Sequence, residues 1–450
     1  MTSKLLLLCA GQRDLRELAA SGINAAHMIF HHEYATAALE DLVAPGATNG
    51  GAIRDPRAEI ADIVATYRGC ALNGVISTDD YPGSTLASIV ARVLNLPGVD
   101  PAADLLCQHK YYSRCLQAKA VPETVPWFAR IGTDQKAPAP AGIRYPAFVK
   151  PVKSFFSIGA SRVDSPDQLA QAIHDNPVSS QFLEPFDTLL QQHLSLAVGA
   201  PLIVEDYLPG IQVTLDGFVQ RGYVQVMGIV DSIMFPGTIS FERFEYPSAL
   251  ERPVQWRMGE IARKVMAAFG FDDGMFNIEF KYDPKTDSIM IIEINPRMSS
   301  QFADLYEKVD GFNPYAVMVD LALGRTPALT GGQGRHPLAA SCVLRTFADQ
   351  RVLRIPRAGD VERLQNRYPD IRVEILATEE DCLSSAMQDG NSFRYGLVNI
   401  GGEDRQHIQS IFADCRKNLP FKFEPVHPRA NATGLHREPW RLRTAPLFAG

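Results

Sequence analysis

The first hundred residues alternate short apolar runs with segments whose apolar positions recur at helical spacing. Lys4–Cys9 and Asn73–Ser77 are compact apolar runs typical of buried strands. Arg57–Tyr67 instead places Ile60 and Ile63 among apolar positions three to four residues apart, which indicates a helix. Strands that alternate with helices in this way predict a parallel, doubly wound sheet.

The middle of the chain has a different pattern, rich in strands. One amphipathic helix, Gln255–Phe269, interrupts it. The predicted strands of this region are Leu202–Val204, Thr214–Val219, Tyr223–Val230, Phe276–Lys281 and Ser288–Ile294. Gly331–Gly334 then predicts a flexible linker. Beyond it, strands are expected at Ala339–Thr346 and Arg372–Leu376, with a helix at Gln406–Asn418.

Composition and charge exclude several classes of protein. The net charge of −7 over 450 residues disfavours a nucleic-acid partner, because proteins that bind nucleic acids usually have an excess of basic residues. No apolar run approaches the roughly 18 residues of a membrane span. The seven cysteines are scattered and form no CxxC pair, as expected of a cytoplasmic protein. Gly11 follows the first strand without a GxGxxG motif, so this region is not read as a dinucleotide site.

Two apolar runs near the middle of the chain each carry a glutamate. Glu279 lies within Phe276–Phe280, and Glu293 lies within Ile291–Ile294. The turn Asp283–Asp287 between the two runs predicts a β-hairpin. In such a hairpin both glutamates can face the same side of the sheet.

Paired carboxylates of this kind suit a divalent cation. Without a cation the two charges repel each other, and Asn295 adds an amide oxygen beside them. Arg297 offers a planar donor fork for a carboxylate or a phosphoryl group. The alternative is an ordinary solvated sheet face, but the bulky apolar neighbours of both glutamates favour a magnesium site.

The pattern from Glu279 to Arg297 resembles the metal site of the ATP-grasp superfamily. Other segments resemble further motifs of that family, in the same order along the chain. They are the first-lysine segment His109–Arg114, the strand Tyr145–Lys150, the phosphate-covering loop Ser157–Ala160 and the hinge Ile203–Gly210.

The resemblance implies ATP as a substrate, with Mg²⁺ or Mn²⁺ as two bound ions. The residues implied for ATP are Lys110, Lys150, Ser157, Gly159, Glu205, Asp206, Tyr207, Leu208, Gln212 and Ile292. Glu279, Glu293 and Asn295 are implied as metal ligands, and Arg297 and Arg345 as catalytic residues. The chain departs from the family at Gln212, where a glutamate often contacts the ribose, so weaker ribose binding is expected.

The C-terminal third narrows the reaction. Ser392–Val398 and the helix after it resemble the closing domain of biotin carboxylases and of L-amino-acid ligases. Gln301 stands where biotin carboxylation uses a carboxylate, which disfavours that reaction. The favoured interpretation is a ligase that joins a small-molecule carboxylate, such as an amino acid, to an amine through an acyl phosphate. A biotin-carboxylase-like enzyme and a non-catalytic ATP-binding protein remain as alternatives.

Pattern and resemblance together predict an α/β and α+β protein with the ATP-grasp fold. An N-terminal parallel α/β domain precedes the ATP-grasp domain, and a β-rich domain closes it. The expected parts are the Rossmann-like domain 1–105, the ATP-grasp domain 106–330 with a hinge near 205–210, the closing domain 331–425 and an extended tail 426–450. The resemblance also implies a homodimer.

Overall fold

The computed structural model describes most of the chain, in six stretches. These are residues 2–32, 55–133, 139–154, 157–176, 178–385 and 392–426. The extended tail expected from 426 therefore lies outside the described residues, apart from Val426. Residues 134–138, which lie in a Pro/Ala-rich stretch, and residues 155–156, which precede the phosphate-covering loop, also lie outside the described residues.

The N-terminal sheet is parallel, as the alternation of strands and helices predicts. Its strands are β1 (Ser3–Leu8), β2 (His27–His32) and β3 (Gly74–Ile76), in the order β2-β1-β3. Leu5 and Leu7 pack into one apolar cluster and Leu6 and Leu8 into another, and all four are fully buried. Burial on both faces explains why the first strand reads as a continuous apolar run.

A four-stranded antiparallel sheet follows. Its strands are β4 (Phe128–Ile131), β5 (Ala147–Pro151), β6 (Ser161–Val163) and β7 (Leu202–Asp206), in the order β4-β7-β5-β6.

The largest sheet has eight antiparallel strands. They are β8 (Ile211–Gln220), β9 (Tyr223–Met234), β10 (Phe241–Tyr246), β11 (Gly274–Asp283), β12 (Ser288–Asn295), β13 (Leu338–Thr346), β15 (Arg372–Ile375) and β16 (Phe393–Gly402). Their order is β12-β11-β8-β9-β10-β13-β16-β15. A separate pair joins β14 (Gln350–Arg354) to β17 (Lys422–Pro425).

Helices cover these sheets. They are α1 (Gln12–Ala20), α2 (Ile23–Ala26), α3 (Pro56–Tyr67), α4 (Thr85–Val93), α5 (Pro101–Gln108), α6 (Lys110–Ala120), α7 (Pro166–His174), α8 (Ser180–Leu194), α9 (Arg252–Phe269), α10 (Ala303–Val309), α11 (Pro314–Ala322), α12 (Ala358–Arg367) and α13 (Arg405–Asn418). Within the described residues, no helix combines the length and the apolar character that a membrane span would need.

The two faces of the eight-stranded sheet differ in polarity where β8, β11 and β12 run side by side. Ile278 and Phe280 of β11 pack in one cluster with Met258 and Val265 of α9. Because neighbouring residues of a strand point to opposite faces, Glu279 lies on the other face. The alternation of apolar and polar residues along β11 therefore produces a core face under α9 and a polar face opposite it.

The segment expected to be a flexible linker is instead fixed by hydrogen bonds. The amide of Gln333 donates to the carbonyl of Asp310 at 3.0 Å, and the amide of Gly334 donates to that of Val309 at 3.0 Å. A Cβ atom at Gly334 would lie 2.2 Å from the carbonyl oxygen of Lys308, so a side chain there would clash with backbone. Moreover, β13 pairs with β10, so one sheet continues across the predicted boundary at 330/331.

Ion pairs connect the first helix to the C-terminal strands. The guanidinium of Arg13 lies 2.9 Å from the carboxylate of Glu374. Arg372 pairs with Glu17 of α1 and, at 2.9 Å, with Asp304 of α10. These contacts join the N-terminal layer to the far edge of the eight-stranded sheet.

Candidate active site

The predicted hairpin forms, and it brings the two glutamates together. Glu279 of β11 is paired directly with Glu293 of β12. The side-chain amide of Gln212 donates to Glu279 Oε2 at 2.9 Å. Burial, followed by the neighbouring charge of Glu293, raises the pKa of Glu279 well above its ordinary value. A bound cation would relieve both effects, since it compensates the buried charge and screens the repulsion.

Glu293 behaves in the opposite way because cations surround it. Lys110 Nζ lies 3.4 Å from Glu293 Oε2. Burial alone would raise the pKa of Glu293, but the charges of Lys110 and Lys150 outweigh it and hold the pKa low. Nearby cations therefore stabilise the ionised form of Glu293. The positive charge near Glu279 does not offset its burial and the repulsion from Glu293.

Asn295 lies at the end of a buried polar chain on the same face. Its side-chain nitrogen donates to Asn277 Oδ1 at 3.2 Å, and Asn277 donates in turn to Asp216 Oδ1 at 2.7 Å. Tyr306 donates to the other oxygen of Asp216 at 2.9 Å. Because the nitrogen of Asn295 is used in this chain, its side-chain carbonyl oxygen is the atom available to a cation.

These donors fit a magnesium ion that is shared with a phosphate ligand. Two carboxylates and an amide oxygen are hard ligands, and Mg²⁺ is typically held by one or two carboxylates plus substrate phosphates. Across the part of the chain that is described, no group of three or more His, Cys, Asp or Glu side chains is arranged to hold a metal. A site built from Glu279, Glu293 and Asn295 would therefore depend on oxygens from a substrate.

Lys110 and Lys150 approach the pair from the side of the four-stranded sheet. Lys110 opens α6, and its amide donates to the carbonyl of Val152 at 3.0 Å. Lys150 lies near the end of β5, with Nζ 2.8 Å from Glu205 Oε2 and 3.4 Å from the carbonyl of Ile292. Burial, and then the charge of Arg114, lowers the pKa of Lys150 against the opposing effect of Glu205.

Arg114 is a central residue of the site that the sequence did not reveal. Its side chain is 2% exposed, and Nε donates to Glu205 Oε1 at 2.5 Å. A second nitrogen donates to the carbonyl of Ile292 at 2.8 Å. Burial opposes ionisation of Glu205, but Arg114 and Lys150 outweigh it and lower the pKa of Glu205 to about 2. Arg114 and Lys150 therefore share one buried anion.

The hinge overlaps the end of β7 and continues beyond it. Asp206 accepts from Arg144 Nε at 3.2 Å, and the guanidinium of Arg162 lies 4.7 Å from the ring centre of Tyr207. Leu208 is partly buried at the end of this segment. The Glu205 side chain points to the lysine and arginine described above, and Gln212 donates to Glu279. Adenine and ribose contacts at these positions stay predictions.

The phosphate-covering loop is described from Ser157 onward. Ser157 and Gly159 both have left-handed backbone conformations, with φ of 57° and 74°. The amide of Ala160 donates to the carbonyl of Ser157 at 3.0 Å. These residues form a tight turn between β5 and β6, and their contact with phosphate stays a prediction.

Arg297 faces a group of acids from the N-terminal layer as well as the hairpin. Its positive charge opposes the rise in pKa that burial causes at Glu279 and Asp79. The same charge helps to hold the pKa values of Glu293 and Asp80 low. Both aspartates lie in the segment Asp79–Gly83, whose aspartate, proline and glycine are typical of a turn. Asp79 does accept the amide of Gly83 at 2.8 Å, which is turn chemistry, but both aspartates also lie within the field of Arg297.

Lys153 is a further buried cation that the sequence did not reveal. It is 2% exposed, and its Nζ lies 2.6 Å from Gln108 Oε1 and 3.7 Å from Asp80 Oδ2. Burial raises the pKa of Asp80, but Lys153, Arg297 and Lys110 together hold it low. The cleft thus contains alternating charges contributed by all three layers of the molecule.

Arg345 occupies a different place. It lies on β13, where Nε donates to the carbonyl of Phe241 at 3.2 Å and a terminal nitrogen donates to Ser392 Oγ at 2.5 Å. These contacts join β13 to β10 and to the residue that precedes β16, and a role for Arg345 in catalysis stays a prediction.

Known proteins are similar to this chain in sequence and in fold. Residues 143–305 match the family model described as ATP-grasp domain. The carbamoyl phosphate synthase large chain of Thermus thermophilus is 30% identical over 179 residues, which cover 39% of this chain and 17% of that relative. The chain therefore spans less than a fifth of the length of this curated relative.

Solved structures match over nearly the whole chain. An L-amino acid ligase from Bacillus licheniformis has a TM-score of 0.71 at 15% identity, covering 94% of this chain and 99% of its own. The biotin carboxylase domain dimer of the Hydrogenobacter thermophilus 2-oxoglutarate carboxylase, in complex with MgADP, ADP and bicarbonate, has a TM-score of 0.63 at 13% identity, with 94% and 91% covered. The chain thus has the ATP-grasp fold, and its residues 143–305 match the ATP-grasp domain.

Proposed function

We propose that the protein is an ATP-dependent ligase that forms an amide from a carboxylate and an amine and releases ADP and phosphate. The observation that carries this proposal is the convergence of Lys110, Lys150 and Arg297 around the paired carboxylates of Glu279 and Glu293. Phosphoryl transfer depends on positioning and on neutralising the charge of the nucleotide, and this arrangement offers both.

The proposed reaction has two steps. An oxygen of the carboxylate substrate attacks the γ-phosphorus of ATP, the bond to the β–γ bridging oxygen breaks, and ADP leaves an acyl phosphate behind. The amine nitrogen then attacks the acyl carbon, the bond from that carbon to the phosphate oxygen breaks, and phosphate leaves. The amine loses a proton as the amide forms.

The side chains of this chain have separate tasks in that reaction. Lys110 and Lys150 neutralise the phosphates, and Arg297 holds the carboxylate substrate through its planar fork. Bound Mg²⁺ supplies charge neutralisation at the phosphate oxygens. Glu279, Glu293 and Asn295 would hold that ion, with a second ion and replacement by Mn²⁺ as part of the proposal.

The comparisons support a ligase with the ATP-grasp fold, without specifying its reaction. One structure with this fold is an L-amino acid ligase, and another contains MgADP. Binding of ATP and magnesium is therefore a proposal for this chain. So is the joining of a small-molecule carboxylate to an amine. A homodimer is proposed on the same basis, since one of these structures is a dimer.

A carboxylase that uses bicarbonate is the second candidate, because a biotin carboxylase domain shares the fold. Gln301 disfavours it. The side chain donates to Ser341 Oγ at 3.0 Å, and an amide cannot act as a base for bicarbonate. A non-catalytic ATP-binding protein is the third candidate.

Product analysis separates these candidates. The full chain would be incubated with MgATP and pooled carboxylates and amines, with bicarbonate alone, and without either. The ligase requires ADP release that depends on both substrates, together with a product whose mass equals their sum minus water. AMP and pyrophosphate as products would contradict the proposal, ADP release with bicarbonate alone would favour a carboxylase, and no release under any condition would favour the non-catalytic protein.

Replacing Lys150 by methionine should raise the KM for ATP by about 10- to 100-fold, the range expected for loss of a charged contact. Methionine keeps the apolar stem of the buried lysine but removes the ammonium that would meet the phosphates. The measurement is ADP release against ATP concentration, with exposed Lys264→Met of α9 as the control. An unchanged KM in Lys150→Met would show that Lys150 does not contact the nucleotide.

We also propose that the chain divides into the domains 1–105, 106–330 and 331–425. The parallel sheet lies within the first of them, and the four-stranded sheet lies within the second. The eight-stranded sheet contains strands of both the second and the third, so these two would be domains that share a sheet.

A further inference from the structure

A cavity of about 80 Å³ lies beside the catalytic cleft, between the N-terminal layer and the start of β11. Helices α4, α5 and α11 border it, together with the segment that follows β12. Arg297 lines the cavity and also acts on the carboxylates of the cleft. The cavity is therefore adjacent to the position at which the proposed carboxylate substrate would be held.

One wall of the cavity contains a buried carboxylate that is only half satisfied. Asp104 is 1% exposed, and its Oδ1 accepts from Thr85 Oγ1 at 2.6 Å and from Gln108 Nε2 at 3.0 Å. Its Oδ2 has no hydrogen-bond partner among the described residues. A buried oxygen without a donor is costly, so a native structure normally provides one from a ligand or from water.

The remaining walls are mostly apolar. Ala91, Met275, Met298 and Leu321 line them. Burial raises the pKa of Asp104 to about 6, so this carboxyl group is mainly ionised at neutral pH. An anion in the cavity would be repelled by Asp104, whereas a cationic donor with a short apolar group would match both the carboxylate and the walls.

We propose that this cavity is the subsite for the amine substrate, with Asp104 Oδ2 accepting a hydrogen bond from the primary ammonium group. The inference rests on the proposed ligase function and specifies where its second substrate binds. The volume is well above the roughly 10–15 Å³ that a single water needs, which leaves room for a small aliphatic amine. The amine would then lie on the other side of Arg297 from the metal site, within the N-terminal half of the molecule.

Asp104→Asn tests the subsite with little change of shape. Asparagine keeps an oxygen for Thr85 and Gln108 but places a donor where Oδ2 had been. The probes are L-alaninamide, which carries a primary ammonium group, and L-lactamide, in which a hydroxyl group replaces it. Binding to the full chain with a non-hydrolysable ATP analogue and Mg²⁺ is measured by saturation-transfer NMR. We expect alaninamide to bind the unmodified protein and lactamide not to, and Asp104→Asn to weaken alaninamide binding about 10-fold or more.

Equal binding of both probes, or unchanged alaninamide binding in Asp104→Asn, would overturn the inference. Glu123→Gln is the matched control, because it removes one exposed carboxylate that does not line the cavity and should leave binding unchanged. Ala87→Leu provides a second variant, in which a larger side chain fills the cavity from α4 and should also prevent binding. Melting curves establish that each variant is folded.

The outcome for this subsite can be separated from the outcome for the overall reaction. Alaninamide binding does not require turnover, so binding that depends on Asp104 would support the subsite even if no ADP were released. If turnover occurs, Asp104→Asn should raise the KM for the amine and leave the KM for ATP unchanged. Turnover with an unchanged KM for the amine would reject the subsite and retain the ligase.

Discussion

Replacing Glu293 by glutamine should lower ADP release by about 10²–10³-fold, the loss expected when one preorganised electrostatic group is removed from a transition state. Glutamine has nearly the same shape but removes the carboxylate that faces Lys110 and Glu279. The cation would lose a charged ligand, and the charge of Lys110 would lose its partner. The rate is measured at saturating ATP over a range of Mg²⁺ concentrations, and the variant should need more Mg²⁺ for half-maximal activity.

Glu251→Gln is the control for this variant. Glu251 is an exposed glutamate before α9, and its side chain makes no capping hydrogen bond. The control should match the unmodified protein at every Mg²⁺ concentration, and a chelator should abolish activity in all three proteins. A Glu293→Gln protein with full activity and an unchanged requirement for Mg²⁺ would refute the proposed metal site.

Replacing Arg114 by methionine should destabilise the protein by about 3 kcal/mol, the lower end of the cost of breaking a buried ion pair, because Glu205 keeps Lys150 as a second partner. Arg114 and Glu205 are both almost fully buried, at 2% and 3% exposure. The variant would leave Glu205 with Lys150 alone and would also remove a donor from the carbonyl of Ile292. Because a chain of this length need not unfold in one step, hydrogen exchange in α6 and β7 is the appropriate local measurement.

A double-mutant cycle with Glu205→Gln distinguishes pairing from packing. If the ion pair is responsible, the double variant should be less destabilised than the sum of the two single variants. Arg357→Met, at an exposed arginine before α12, is the control and should show only a small change. Additive effects of Arg114→Met and Glu205→Gln would mean that the two side chains do not act as a buried pair.

The sequence contained most of the information needed for the elements that carry the site. Glu279 and Glu293 were expected on one face of a hairpin because their apolar neighbours alternate with them, and the observed register pairs them directly. The continuous apolar run Leu5–Leu8 predicted a buried strand. The structure explains the run, since each leucine packs into one of two apolar clusters. The periodicity of apolar residues is sufficient to predict a strand or a hairpin whose residues are close together in the chain.

The surroundings of these elements were not predictable in the same way. Arg114 and Glu205 are 91 residues apart in the chain, and neither position has a local pattern that identifies the other. Lys153 is buried next to Asp80 although lysine is usually exposed. Such partners depend on how the layers pack together, and a single sequence does not reveal that packing.

The linker expectation failed for a related reason. Glycine-rich composition at Gly331–Gly334 suggested mobility, but the glycines allow close approach to the backbone of α10 and hydrogen bonds with it. Composition indicates that the chain can turn there. It does not indicate whether the turn is held by its neighbours.

The pairing of β10 with β13 has a consequence for how this molecule can change during evolution. A homologous closing segment inserted by recombination would have to match the hydrogen-bond register from Arg243–Cys342 to Tyr246–Ala339. A mismatch of one residue would turn every inward side chain of the acquired segment outward. The shared sheet therefore constrains the third part of the chain through the second, so an exchanged segment must preserve this register as well as its own fold.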